Sequence, residues 1–345
     1  MNMGMVEDCV REIGNNGGWY SLMKMMKANG GALPKVSMCI GARRTGKTVY
    51  LTRLAILLWQ RFGRTTLWLR NMKVEYENPG FFGRFLNAAK EFGYCSEDWK
   101  CDKEGVKDPD GNLVITFGSL STFSNLRGNA DFTTDLIVMD EFMPESGRYP
   151  KHCATGLLSI SRTIFSGRED ARIVMAANDI QLGNPYFCKW RVYPDQDKDV
   201  TVFPSGFGIE KLYGYRRAKP EGQWADLYKS AGYTDYMDSV DEDVQVRLIE
   251  PLPKTAQPEP FCIMPESGQV YRGWRHKGYL WYAPYNGSRK GLVCYTNEPR
   301  FITNDCYLME HFTIRRYEDA LKAGRLRFTD AVTLYDIMSM CFQSY

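Results

Sequence analysis

Val36-Ser37-Met38-Cys39-Ile40-Gly41-Ala42-Arg43-Arg44-Thr45-Gly46-Lys47-Thr48 is the stretch from which the rest of the chain is read. A short, mainly apolar run enters a complete G-x-x-x-x-G-K-[ST] pattern, Gly41 to Thr48. Such a run suits a strand covered on both faces. The glycines let backbone N–H groups close around a phosphate chain, and the helix that follows turns its positive N-terminal end to the same charge. In this reading Gly41, Ala42, Arg43, Arg44, Thr45 and Gly46 wrap the phosphates. Lys47 reaches the β- and γ-phosphates, and the Thr48 hydroxyl ligates Mg²⁺. The implied ligand is ATP or GTP.

A second apolar run, Leu136-Ile137-Val138-Met139, ends in Asp140-Glu141. A carboxylate at the tip of a buried parallel strand is placed to hold Mg²⁺, which assigns Asp140 to the metal. A further acid directly after it can take a proton from an attacking water, so Glu141 is the expected general base. The pair points to a hydrolase rather than a nucleotide switch, and the sequence has no Asn-Lys-x-Asp tetrad for guanine, which favours ATP. Arg172 to Ala177 reads as another buried strand, and Asn178 at its tip is a candidate sensor of the γ-phosphate; the plainer reading makes it the start of an Asn178-Asp179 turn. Arg168, in Ser166-Gly167-Arg168, is a candidate for a neighbouring subunit's nucleotide. Its alternative is a surface pair with Glu169 or Asp170. Arg162, Arg148 and Lys73 are weaker candidates for the same role.

With 345 residues, 44% of them hydrophobic and 14% aromatic, the chain has material for two globular domains. Alternating strand and helix signals predict an α/β fold: a P-loop core with a parallel, helix-covered sheet over residues 1–203. Gly206, Gly208, Gly214, Pro220 and Gly222 predict a linker or small lid over 204–235, followed by a strand-rich α/β domain over 236–345. The longest apolar stretch, Leu54 to Trp59, is too short for a bilayer, and no signal-peptide order opens the chain, so a cytosolic protein without a membrane partner is expected. Ten cysteines without a C-x-x-C pair read as reduced thiols, with no structural zinc. Arg272, Arg275, Lys277, Arg289 and Lys290, interleaved with Tyr271, Trp274, Tyr279, Trp281, Tyr282 and Tyr285, fit a nucleic-acid surface. An ordinary antiparallel sheet explains the same pattern.

Gly41 to Thr48, the Leu136 to Glu141 strand, the Ala176-Ala177-Asn178 tip, the arginine between them and a smaller strand-rich C-terminal domain together resemble the genome-packaging ATPases of small phi29-like tailed phages. The resemblance implies a homomeric ring, pentameric in that family. It would sit transiently at the portal vertex of a prohead in the host cytoplasm, where ATP hydrolysis drives double-stranded DNA inward. It also implies docking on the portal or a structural RNA, a trans-acting arginine finger at Arg168 and a trans-acting lysine at Lys73. Related large terminases carry an RNase-H-like nuclease after the ATPase. Here the expected strands from Phe261 to Tyr295 hold only Glu266, so any such domain is expected to be nuclease-inactive. A hexameric helicase or segregation translocase, and a nucleotide-binding structural assembly protein, remain the alternative readings.

Overall fold

The computed structural model describes residues 4–75, 77, 81, 85–122, 133–144, 149–150, 152–178, 184–195, 197–216, 248–309, 317, 319–320 and 323–342. The chain divides into two compact units, Met1–Ile180 with Pro194–Asp241, and Gln181–Tyr193 with Glu242–Tyr345.

In the first unit, helices α1 (Met5–Ile13) and α2 (Met23–Ala28) precede β1 (Val36–Ile40) and α3 (Lys47–Phe62). Then follow β2 (Thr65–Arg70), α4 (Asn87–Glu91), β3 (Lys100–Cys101), β4 (Gly105–Lys107), β5 (Leu113–Ser119), β6 (Thr134–Asp140), α5 (Cys153–Phe165) and β7 (Arg172–Ala177). Two short strands, β8 (Val200–Val202) and β9 (Phe207–Lys211), complete it. They form one sheet in the order β3-β4-β5-β2-β6-β7-β1-β9-β8. The strands from β5 to β9 in that order are parallel, and antiparallel strands close both edges. The continuous apolar runs behave as a doubly covered sheet demands, since every residue of β1, β2, β6 and β7 is buried. Val6, Val10 and Ile13 of α1 and Leu51, Leu54 and Leu58 of α3 pack with Cys39, Trp68, Val138 and Val174, one set of alternate strand positions.

Two features depart from the sequence reading. Residues 204–211 were expected in a linker, yet Gly206 turns a hairpin and β9 joins β1 in the central sheet. The glycines serve packing here, because a Cβ on Gly208 would lie 2.5 Å from Met25 Sδ and 2.7 Å from Pro34 Cγ. Only a bare backbone passes beneath α2 at that point. Residues 217–235 of the expected linker lie outside the described residues. The second departure is α6 (Pro185–Trp190), which was assigned to the first domain but falls in the second unit. Asn184 caps it, accepting from the N–H groups of Tyr186 and Phe187, and Cys188 and Tyr193 enter the second core.

That second unit holds β10 (Gln257–Ile263), β11 (Tyr271–His276), β12 (Tyr279–Pro284), β13 (Val293–Thr296), β14 (Cys306–Leu308), β15 (Leu326–Phe328) and α7 (Ala331–Phe342). The sheet order is β14-β13-β10-β11-β12-β15. β10, β11 and β12 run antiparallel, while β13 is parallel to β10 and β14 to β13. Leu334, Ile337 and Met338 of α7 pack with Ile263, Tyr271, Tyr282 and Phe328. In the sequence, Leu248 to Pro260, with four prolines, reads as an ordered connection or a boundary inside the second domain, and the first strand as Phe261 to Met264. The strand begins at Gln257 all the same, because a register irregularity between Pro258 and Cys262 absorbs the missing N–H groups. No helix among the described residues is long and apolar enough to cross a membrane.

A buried carboxylate in β9 has a measurable consequence. Glu210 is fully buried; Tyr215 Oη donates to its Oε1 at 2.7 Å, and Oε2 has no hydrogen-bond partner among the described residues. Burial pushes its acid up to about 7, with Tyr215 and Lys24 pulling down and Asp199 pushing up. A raised acid binds its proton more tightly folded than unfolded, so stability falls as pH rises from the ordinary carboxylate range to about 7. Glu210→Gln keeps the acceptor for Tyr215 and should gain about 1–3 kcal/mol at pH 8, with the gain gone at pH 4.5. Urea unfolding at both pH values reads this directly.

Candidate nucleotide site

The loop from Gly41 to Thr48 leaves β1 at the edge where β7 and β6 also end. Gly41 N–H donates to the Ala177 carbonyl at 3.2 Å, and a Cβ on Gly41 would meet Leu212 Cβ at 2.5 Å, so the first position tolerates only glycine. Arg44 and Gly46 take left-handed backbone, at φ 63° and 89°, and curl the loop back onto α3. Thr45 is buried and its hydroxyl donates to the Ala42 carbonyl at 3.2 Å. Lys47 is buried as well; its ammonium donates to the carbonyls of Gly41 at 2.8 Å and Ala42 at 2.7 Å, which holds the charge inside the loop. Thr48 is exposed on the first turn of α3, and Arg43 is partly exposed.

Asp140 is the last residue of β6 and pairs in register with Ala176 of β7. The chain then turns through Glu141 at φ 54°, a left-handed conformation unusual for a non-glycine residue. Asn71, fully buried, holds that turn: its side-chain amide donates to the carbonyls of Glu141 at 2.9 Å and Phe142 at 3.3 Å. Phe142 N–H donates to the Ala176 carbonyl at 3.0 Å. The site also contains a residue that the sequence reading missed. Arg70, the final residue of β2, sends Nη2 to Asp140 Oδ2 at 2.8 Å and Nη1 to Glu141 Oε2 at 2.5 Å. Its signal in the sequence was a charge closing the run Thr65-Thr66-Leu67-Trp68-Leu69, at the same strand end as Asp140.

The charges at this edge act on one another at short range. Burial pushes the Asp140 carboxyl above its ordinary range, Glu141 adds to that, and Arg70 and Lys47 pull it back. Burial works against the charge on Arg70, but Asp140, Glu141 and Glu75 outweigh it and hold the guanidinium ionised. Thr48 and Asp140, a hydroxyl on the helix turn and a buried carboxylate at the strand tip, are hard oxygen donors of the kind that suits Mg²⁺. Asn178 follows β7 directly, at the same edge and partly exposed. Lys73, two residues beyond Asn71, is half exposed and pairs with Glu77 at 2.8 Å.

Arg168 is not among these groups. Its guanidinium pairs with Asp135 at 2.7 Å and donates to the Thr134 carbonyl at the start of β6, where Arg64 also holds Asp135, and to the Ile164 carbonyl near the end of α5. The start and tip of a seven-residue strand lie about 20 Å apart. Within this chain the arginine pairs with Asp135 rather than with Glu169 or Asp170, and it braces the end of the sheet away from the loop. Arg148 lies outside the described residues.

With phosphate loop, strand-tip acids and parallel sheet in place, the comparison with known proteins becomes decisive. Residues 19–234 match the Podovirus DNA encapsidation protein (Gp16) family. The chain belongs to that family. The DNA packaging protein of Bacillus phage phi29 is 28% identical over 171 residues, 49% of this chain and 50% of that one, so the chain matches about half the length of its curated relatives. Among solved structures, the Phi-28 gp11 DNA packaging motor shares the fold with a TM-score of 0.70 at 15% identity, over 92% of this chain and 97% of that one. The N-terminal domain of the DNA packaging ATPase from bacteriophage phi29 gives 0.50 at 25% identity, over 57% of this chain and 97% of that one.

The five cations singled out in the second unit do not share one face. Arg272 lies over the rings of Trp274 at 5.4 Å and Tyr285 at 5.3 Å, whereas Arg275, an odd number of positions along β11, pairs with Glu259 of β10 at 2.5 Å. Lys277, Arg289 and Lys290 are exposed on turns.

If Arg168 is a brace rather than a site residue, Arg168→Ala should lower stability by about 1–3 kcal/mol, Arg64 being left to hold Asp135. Urea unfolding would show the loss, and nucleotide affinity measured by calorimetry should stay within about twofold of wild type.

Proposed function

We propose that this chain is the ATP-hydrolysing subunit of a motor that moves double-stranded DNA into a preformed prohead. In this reading it acts in the host cell as a homomeric ring at the portal vertex, with five subunits and the portal or a structural RNA as its seat. One observation carries the reading: the ammonium of Lys47, the carboxylate of Asp140 and the carboxylate of Glu141 are gathered at one sheet edge. Membership of the DNA encapsidation family and the likeness to the phi29 packaging ATPase domain support it.

The chemistry follows from the groups present. A triphosphate entering the loop draws the Lys47 ammonium from the Gly41 and Ala42 carbonyls to its own oxygens, while the N–H groups of the loop and the start of α3 take the remaining charge. Thr48 and Asp140 would hold Mg²⁺, which when bound neutralises charge on the β- and γ-phosphates. Glu141 accepts the proton of the attacking water, and its left-handed turn, fixed by Asn71, directs the carboxylate out of the sheet edge. Arg70 keeps Glu141 and Asp140 apart in their roles by binding one oxygen of each; release of its Glu141 contact frees the base. Asn178, beside the loop, is assigned to sensing the γ-phosphate. Lys73, exposed though paired with Glu77, is the cation we assign to a neighbouring subunit's phosphates.

For the second unit, three antiparallel strands followed by two parallel ones on the β10 side support an RNase-H-like domain. Among the described residues no group of three or more acidic, cysteine or histidine side chains is arranged to hold a metal. Arg272, stacked on Trp274 and Tyr285, is the part of that surface we assign to nucleic acid, with Arg275, Lys277, Arg289 and Lys290 as further phosphate contacts.

ATP turnover by the full chain, with and without double-stranded DNA and matching proheads, tests the proposal. Stimulation by both, with the DNA becoming nuclease-protected, is the expected result; stimulation by DNA alone would replace the packaging reading with a general translocase. Glu141→Gln should bind ATP as wild type does and lose about 10²–10⁴ in turnover. Turnover at the wild-type rate would remove Glu141 from its role.

A further inference from the structure

We infer that Trp19 and Arg216 form a stacking platform for the purine base of the nucleotide whose phosphates the Gly41 to Thr48 loop receives. The inference rests on the nucleotide-binding reading above and adds a second half to that site. Neither residue belongs to a recognisable motif, and they come from chain segments nearly two hundred positions apart.

The platform is built on the rim of the phosphate loop. Gly17 and Gly18, both left-handed at φ 62° and 87°, reverse the chain after α1 and deliver Trp19 against the loop. Its ring atom Cε3 lies 3.5 Å from the point where a Cβ on Gly46 would sit, so the indole rests on the residue that caps α3. The next residue is tied to the same loop, with Tyr20 N–H donating to the Thr45 carbonyl at 3.0 Å. Asn16 anchors this turn to α3: Arg53 Nη1 donates to its Oδ1 at 3.2 Å, and its amide donates to the Tyr20 carbonyl at 3.0 Å.

The second segment leaves β9, the strand beside β1. Tyr215 packs edge-on against Tyr20 with centroids 5.7 Å apart, and its hydroxyl lies 3.1 Å from the Ser21 carbonyl. Arg216 N–H then donates to the Gly18 carbonyl at 2.8 Å, and the guanidinium lies 5.3 Å from the centre of the Trp19 ring. Trp19 is partly exposed and Arg216 exposed.

A hydrophobic core does not call for this arrangement. A guanidinium set over an indole, the one exposed and the other partly so, is a poor seal against water. It is, however, the pairing that recognises a flat, electron-rich heterocycle, since both groups stack on bases and the cation adds attraction to the ring face. The loop supplies charge complementarity for a polyphosphate and nothing for a base. Trp19, touching Gly46 on the loop itself, puts a π surface one residue from the phosphate-binding lysine.

The experiment separates base from phosphate. Calorimetric titration of the full chain with ATP and, separately, with inorganic tripolyphosphate, each with Mg²⁺, is made on wild type, Trp19→Ala, Trp19→Phe and Arg216→Ala. Removing a stacking ring should weaken ATP by about 5- to 100-fold in Trp19→Ala while tripolyphosphate changes by less than about twofold. Trp19→Phe should recover most of the loss, and Arg216→Ala should show a smaller loss confined to ATP. An equal loss for both ligands in Trp19→Ala, or ATP affinity unchanged in that variant, would overturn the platform and leave Trp19 as a prop for the loop. Failure of the wild-type chain to bind either ligand would overturn the nucleotide reading itself, and the platform with it.

Discussion

The main-chain hydrogen bonding that holds β2, β6, β7 and β1 side by side and in parallel is the constraint on which the site depends. Parallel strands share a direction, so their C-terminal ends fall along one edge, and the registers Ile40 with Ala177 and Asp140 with Ala176 align those ends to within a residue. Lys47, Asp140, Arg70 and Asn178 come from positions far apart in the chain and meet for this reason alone. A slip of β6 by one residue against both β2 and β7 would turn Asp140 to the opposite face and carry Glu141 away from Asn71, which fixes its turn.

Within that edge the arrangement of Arg70, Asp140 and Glu141 is an expensive one. Three charges are withdrawn wholly or partly from water, and such groups rarely add to stability, since desolvation offsets most of their attraction. Apolar residues at positions 70 and 140 would pack the strand ends as well or better. The left-handed backbone at Glu141 adds a further cost of about 1–3 kcal/mol. Unfavourable terms concentrated at one point of an otherwise regular sheet mark where the molecule is built for chemistry.

Local patterns were legible in the sequence, and pairings were not. The glycines and lysine of the loop, and the acids closing the Leu136 to Met139 run, carry their meaning within a few residues, so the α/β core and most of the residues gathered at this sheet edge could be read directly. Arg168 and Arg70 look alike in sequence, each a cation at the border of a strand or helix. Only the fold shows that one reaches Asp135 at the start of β6 and the other Asp140 and Glu141 at its tip. Gly206 and Gly208 misled for a related reason. Glycine signals a turn in one place and a close approach of backbone to side chain in another, and Met25 and Pro34, the partners that decide between them, lie far back in the chain. Pro258 and Pro260 hid the start of β10 because a strand irregularity cannot be seen without its partner.

The course of the chain through its two units has a consequence for how the molecule is made. Residues 181–193 contribute α6 to the second unit, the chain returns to the first for residues 194–241, and only then does the remainder of the second unit follow. During synthesis from the N-terminus, Cys188 and Tyr193 therefore emerge well before Leu326, Phe328 and Leu334, their companions in the same core. Until translation nears its end this amphipathic segment has no native cover, which leaves it open to chaperones and to mispairing with neighbouring chains. The first unit, by contrast, has all of its chain by residue 241, so only the second must wait for the C-terminal residues to rejoin a helix made much earlier.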